Sequence, residues 1–176
     1  MRSKFSIGGH PLHPSLVALP IGLFVWALVA DIVYASRDHE HYWYIISMWS
    51  GIAAIVTALL AALPGFGDYL TMARHTKDAS MAVAHMTLNL TVIALYFIAM
   101  LLMLNDNATS GGTLGAVIAL HAVGTGLLAL SGYLGGEMVY RGHLAIVPDD
   151  DALEREEHIR HDIPAGSHPK PLSGGR

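Results

Sequence analysis

The chain contains no cysteine. Disulfides, thiolate metal sites, cysteine-ligated iron–sulfur clusters and cysteine-attached haem are therefore excluded. Charge is scarce as well. Asp, Glu, Lys and Arg make up 14% of the 176 residues, against roughly 25% in an average soluble domain. The net charge of −4 is carried mostly by the C-terminal tail, which argues against nucleic acid as a partner. Also missing are GxSxG, HExxH and the phosphate-cradling GxxxxGK, so no hydrolase or transferase motif is present.

What the chain has instead is hydrocarbon: 53% hydrophobic residues and a mean hydropathy of +0.45. From Leu16 to Tyr34 the only charged residue is Asp31, and 45–63, 81–104 and 114–134 carry none. Roughly 20 apolar residues in a helix cross a bilayer core. The sequence thus predicts an all-α, polytopic membrane protein, an antiparallel four-helix bundle with helices over about 15–34, 44–64, 80–104 and 113–140. These form one transmembrane domain over 1–147. The acidic, Pro- and Gly-containing tail over 148–176 is expected to be largely disordered. MRSK and the VYA at 33–35 suggest a cleaved signal, but the polar GGHPLHP insert argues for a retained span.

Basic residues in short loops orient such a bundle. Arg2 and Lys4, then Arg74 and Lys77, then Arg141 fall on one side, and Arg37 stands alone on the other. Both termini are expected in the cytoplasm, with the protein in the inner (plasma) membrane. Tyr34, Tyr42, Trp43 and Tyr44 mark the outer interface, and Tyr69 and Tyr140 the inner one. Two seams of small residues run at i, i+3/i+4 spacing. Gly51, Ala54, Ala58, Ala61 and Gly65 form the first. Gly115, Ala119, Ala122, Gly126, Ala129, Gly132 and Gly136 form the second. Small side chains let helices pack closely in lipid, and the seams also allow a homo-oligomer.

Polar residues collect at one end of this layout. GGHPLHP puts His10 and His13 at the mouth of the first span. Asp68 follows the second span in GFGDY. His85 begins the third, with Asn89 one turn on along the same face. Glu137, Tyr140 and His143 close the fourth in GGEMVYRGH. Ionisable groups within a membrane are expensive and mark functional sites by default. His121 lies far from this end, with a hydrogen bond inside the bundle as its first expected role and a pairing with Asp31 as its second. His158, His161 and His168 in the tail are expected to be solvated.

HPLHPSLVALPIGLFVWALVADI, GFGDYL, HMTLNL and GYLGGEMVYRGH, in that order and spacing, resemble the family of small membrane proteins known as domain of unknown function 2231. The resemblance runs from about Gly8 to Ile146. It implies four helices integral to the membrane. Some family members resemble fusions to a Rieske-type domain, which implies electron transfer. Here Arg141-Gly142-His143 stands where the family order is Arg-His-Gly, so His143 is given no role.

Three readings of the polar end remain open. In the first, His13 and His85 ligate a b-type haem, with His10 as an alternative ligand. Gly132, Gly135 and Gly136 make room, and Arg141 or Arg74 meets the propionates; a redox partner protein is then implied. In the second, His10, His13, His85, Glu137 and Asp68 bind or pass a transition metal ion, since mixed nitrogen and oxygen donors suit such ions. In the third, no cofactor is present. The His-Pro pairs then shape a helix start, His85, Asn89 and Glu137 form a hydrogen-bond network, Pro20 kinks the first helix, and the protein is an anchor or assembly subunit.

Overall fold

The computed structural model describes residues 5–8, 10–37, 39–72, 76–105 and 111–140. The chain begins with a two-rung antiparallel hairpin, β1 (Ser6–Ile7) against β2 (His10–Pro11), with Ser6 opposite Pro11 and Ile7 opposite His10. Gly8 turns this hairpin with φ +57, a conformation open to glycine because it has no Cβ to clash. Five helices follow: α1 (Leu12–Leu16), α2 (Ala18–Ser36), α3 (His41–Tyr69), α4 (Lys77–Met103) and α5 (Gly111–Tyr140).

Helices α1 and α2 together make one span, Leu12–Ser36, interrupted at Val17. Pro20 explains the interruption. It has no N–H for the carbonyl of Leu16, four residues earlier, and α1 ends at Leu16. Pro64 acts differently, since α3 continues through it and through Gly65 and Gly67 to Tyr69. The expected end at 64 is therefore short by about a turn, and Asp68 lies in the last turn of α3 instead of in a loop. Without water to receive freed backbone groups, a membrane helix tolerates proline where neighbours cover it, and Pro64 is buried. At α4 the Thr76 side chain accepts from Ala79 N and caps a helix that starts at Lys77, three residues before the expected start.

All four spans are long and apolar enough to cross a membrane, at 25 to 30 residues each. Antiparallel α2 and α3 pack along one another, as do α4 and α5, and α2–α5 and α3–α4 contacts close the ring. This is the expected bundle. Phe24, Ala27, Ala54, Val92, Tyr96 and Leu128 form its central core, and Ala99, Met103 and Val117 a second cluster nearer the α4–α5 connection. Large apolar side chains point outward, among them Leu19, Trp26, Trp49, Leu60, Phe97, Leu130 and Tyr133. A surface of that kind suits lipid and not water.

The two small-residue seams fare differently. On α3, Gly51, Ala54 and Ala61 are buried. On α5, Gly115, Ala119, Ala122, Gly126 and Ala129 face outward, so packing within one chain does not account for them. The glycine of α5 that the bundle uses is Gly124, where an added Cβ would lie 2.7 Å from Cε2 of Tyr96.

Candidate functional site

His13 enters the bundle because α1 starts at Leu12 and leans on α3. Its Nδ1 donates to the carbonyl oxygen of Ala61 at 2.7 Å. The ring fits because Gly65, one turn beyond Ala61, has no side chain. A Cβ there would stand 2.7 Å from His13 Nδ1 and 3.0 Å from Cε1 and Cγ. Gly67 serves the same purpose for the ring of Phe5, whose carbonyl receives Leu12 N at 2.9 Å. The glycines of GFG are thus places for two N-terminal rings against α3.

Across the bundle, His85 on α4 donates from Nδ1 to the carbonyl oxygen of Ser131 on α5 at 2.8 Å. Ser131 Oγ lies 3.0 Å from the same nitrogen. Because a carbonyl only accepts, the proton of each ring sits on Nδ1, and each Nε2 presents a lone pair. The Nε2 of His85 accepts from Asn89 Nδ2 at 3.0 Å, and the same amide donates to His85 O at 3.0 Å. Gly135 lies against this ring, with a built Cβ 3.2 Å from Cε1. The two imidazoles meet edge-on, with ring centres 6.2 Å apart and planes at 90°.

The structure brings together His13, His85 and Asn89, and sets Gly135 beside them. His10 is elsewhere, exposed on the hairpin with Nδ1 on Gly8 O at 3.1 Å. Asp68 and Glu137 are half-buried on α3 and α5, Gly136 touches little beyond its own helix, and Tyr140 is exposed at the end of α5. Among the described residues no three His, Asp or Glu gather closely enough to hold a metal ion. The five-residue ligand set of the sequence is not assembled as a metal-binding group, and β2 leaves His10 exposed. Arg74, Arg141, His143 and the tail over 148–176, with His158, His161 and His168, lie outside the described residues.

A second polar cluster sits deeper. His121 Nδ1 donates to Asp31 Oδ2 at 2.6 Å, and both residues are 2% exposed. The pairing given second place from sequence is the one that forms. Tyr96 lies flat on the imidazole, with centroids 4.1 Å apart and planes at 14°. Its hydroxyl donates to Phe24 O at 2.8 Å and meets Thr125 Oγ1 at 2.8 Å. Sequence reasoning missed Tyr96. Its one signal was a phenol in the middle of an uncharged span.

A family model described as "Predicted membrane protein (DUF2231)" matches residues 9–148. The chain belongs to that family. It is a membrane protein with four candidate spans, and the match covers the hairpin residue His10, both imidazoles and the Asp31–His121 pair. No curated protein and no solved structure matches the chain. The DUF2231 match thus speaks to fold and environment, and chemistry has to be argued from the side chains.

One test of the geometry needs no cofactor. Gly65→Ala should displace the His13 ring and weaken its bond to Ala61, at a cost of about 1 kcal/mol. Gly135→Ala should cost less, because its contact of 3.2 Å leaves the neighbour only tenths of an ångström to give. Denaturant unfolding in detergent micelles would read the difference; equal costs would contradict the assigned contacts.

Proposed function

We propose that His13 and His85 would hold a b-type haem through their imidazoles and that the protein carries electrons within the membrane. One observation carries this reading: two imidazoles meet edge-on, 6.2 Å between centres, and among the described residues no third His, Asp or Glu joins them as a metal-binding group. Two nitrogens suit a metal whose remaining ligands come from a macrocycle, whereas zinc and similar ions want three or four protein donors. Both Nδ1 hydrogens are tied to backbone carbonyls, which orients a ligating His and raises its basicity.

The residues act as follows. Ala61 O and Ser131 O hold the rings in one tautomer, and Gly65 and Gly135 give them space. Asn89 donates to His85 Nε2, a bond that a haem held there would replace, and its amide would keep its bond to His85 O. When bound, the group supplies one-electron redox chemistry, with a partner protein as donor or acceptor. In this reading the bundle lies in the inner membrane with both termini in the cytoplasm, on the strength of Arg2, Lys4, Lys77 and Arg141. The outward Gly and Ala stripe of α5 suits a second copy of the chain.

A structural role is the second reading, and Asn89 favours it. With Asn89 on Nε2 and Ser131 on Nδ1, His85 is fully hydrogen-bonded without any ligand. The pair would then pin α1 to α3 and α4 to α5, as in an anchor or assembly subunit.

Absorption spectra separate the two. Protein purified from haem-replete cells should show a Soret band and a reduced-minus-oxidised difference spectrum. His13→Ala and His85→Ala should each abolish the bis-imidazole signature. A colourless protein that stays colourless after haem is added overturns the haem reading and leaves the structural one.

A further inference from the structure

Asn89 stands one turn after His85 on α4, half-buried, and its amide is held twice there. Nδ2 donates to His85 Nε2 at 3.0 Å and to His85 O at 3.0 Å. The amide nitrogen carries two hydrogens, one for each acceptor. On the other side of the ring, Nδ1 donates to Ser131 O at 2.8 Å, with Ser131 Oγ at 3.0 Å. Both nitrogens of His85 are thus satisfied by the chain itself. A polar atom left unpaired inside a bundle is expensive, and Asn89 spares His85 that cost.

We infer, on the haem reading above, that Asn89 is a latch on His85 Nε2, which lets the bundle fold before it is loaded and makes haem binding a reversible exchange. The single lone pair of Nε2 cannot serve two partners at once, so the Asn89 amide and haem compete for it. The ring itself has no need to move. Ser131 O fixes it from the Nδ1 side, and Gly135 leaves room at Cε1, where an added Cβ would lie 3.2 Å away. Only one hydrogen bond is given up on loading, because the bond from Asn89 to His85 O does not involve the ring. The latch closes again by the same short path.

Hemin titration of the full-length protein, purified from haem-deficient cells into detergent micelles, tests this. The wild type should bind hemin and lose it again to added apomyoglobin. Asn89→Leu keeps a side chain of similar volume and has no N–H. It should hold hemin about fivefold more tightly, the scale of one net hydrogen bond. Asn89→Ala should tighten binding alike. Unchanged or weaker affinity in either variant overturns the latch and leaves haem binding by His13 and His85 standing. A wild type without a Soret band overturns the haem reading, and the latch falls with it.

A second measurement uses no haem. In nitrogen NMR of protein isotope-labelled at histidine, the Nε2 resonance that disappears in His85→Ala should show the shift of a hydrogen-bond acceptor. In Asn89→Leu it should move toward the value of a free imidazole nitrogen, while circular dichroism shows the helices retained. A wild-type resonance already at the free value, or one that does not move in the variant, overturns the latch. If neither Asn89 variant folds, the wild-type shift decides alone.

Discussion

Replacing His121 by alanine should destabilise the bundle by about 3 kcal/mol. His121 Nδ1 is 2.6 Å from Asp31 Oδ2, and both residues are sealed at 2% exposure. Removing one partner of such a pair leaves the other charge buried and alone, which costs roughly 3–5 kcal/mol in proteins. The bond itself is the smaller part, since interhelical polar contacts in membranes average about 0.6 kcal/mol. The double variant Asp31→Leu with His121→Phe should therefore be more stable than the single His121→Ala. It removes the charge together with its partner and keeps a ring for Tyr96 to stack on. Unfolding of each variant in mixed micelles, titrated with a denaturing detergent, measures both effects. A loss below about 1 kcal/mol in His121→Ala would mean that the carboxylate is not sealed.

Tyr96→Ala should cost about as much, in the range of 3–5 kcal/mol reported for truncating large aromatics. Tyr96 is 1% exposed and lies between Phe24, at 4.4 Å between centroids, and His121. Its hydroxyl ties α4 to α2 through Phe24 O and to α5 through Thr125. Gly124 gives the ring its place on α5. Tyr96→Phe keeps the ring and loses only the hydroxyl bonds, so it should cost about 1 kcal/mol. The same unfolding titration compares the two. Similar losses for Tyr96→Ala and Tyr96→Phe would shift the weight from the ring to the hydroxyl.

The placement of His13, His85 and Asn89 shows what could be read early. Two His-Pro steps before an apolar run put an imidazole at a helix start, and i, i+4 spacing put Asn89 over His85. The carbonyls that receive the rings, Ala61 O and Ser131 O, carry no side-chain signature at all. His10 looked equivalent to His13 in GGHPLHP, but the Gly8 turn folds it into β2 and away from the bundle. The α5 seam had the spacing of a packing face, yet its period also fits a face turned to lipid. Periodicity alone does not say what lies opposite.

Sequence by itself determined that there are four spans, roughly where they begin and end, and that the chain belongs in lipid. Those features follow from local quantities, namely the length of each uncharged run and its hydropathy. Only the tertiary structure decided which helices are neighbours, that Asp31 meets His121 across 90 residues, and that two imidazoles rather than five ligands come together. Such contacts depend on the rotation and register of each helix about its axis, and in a bundle those are set by packing against the others.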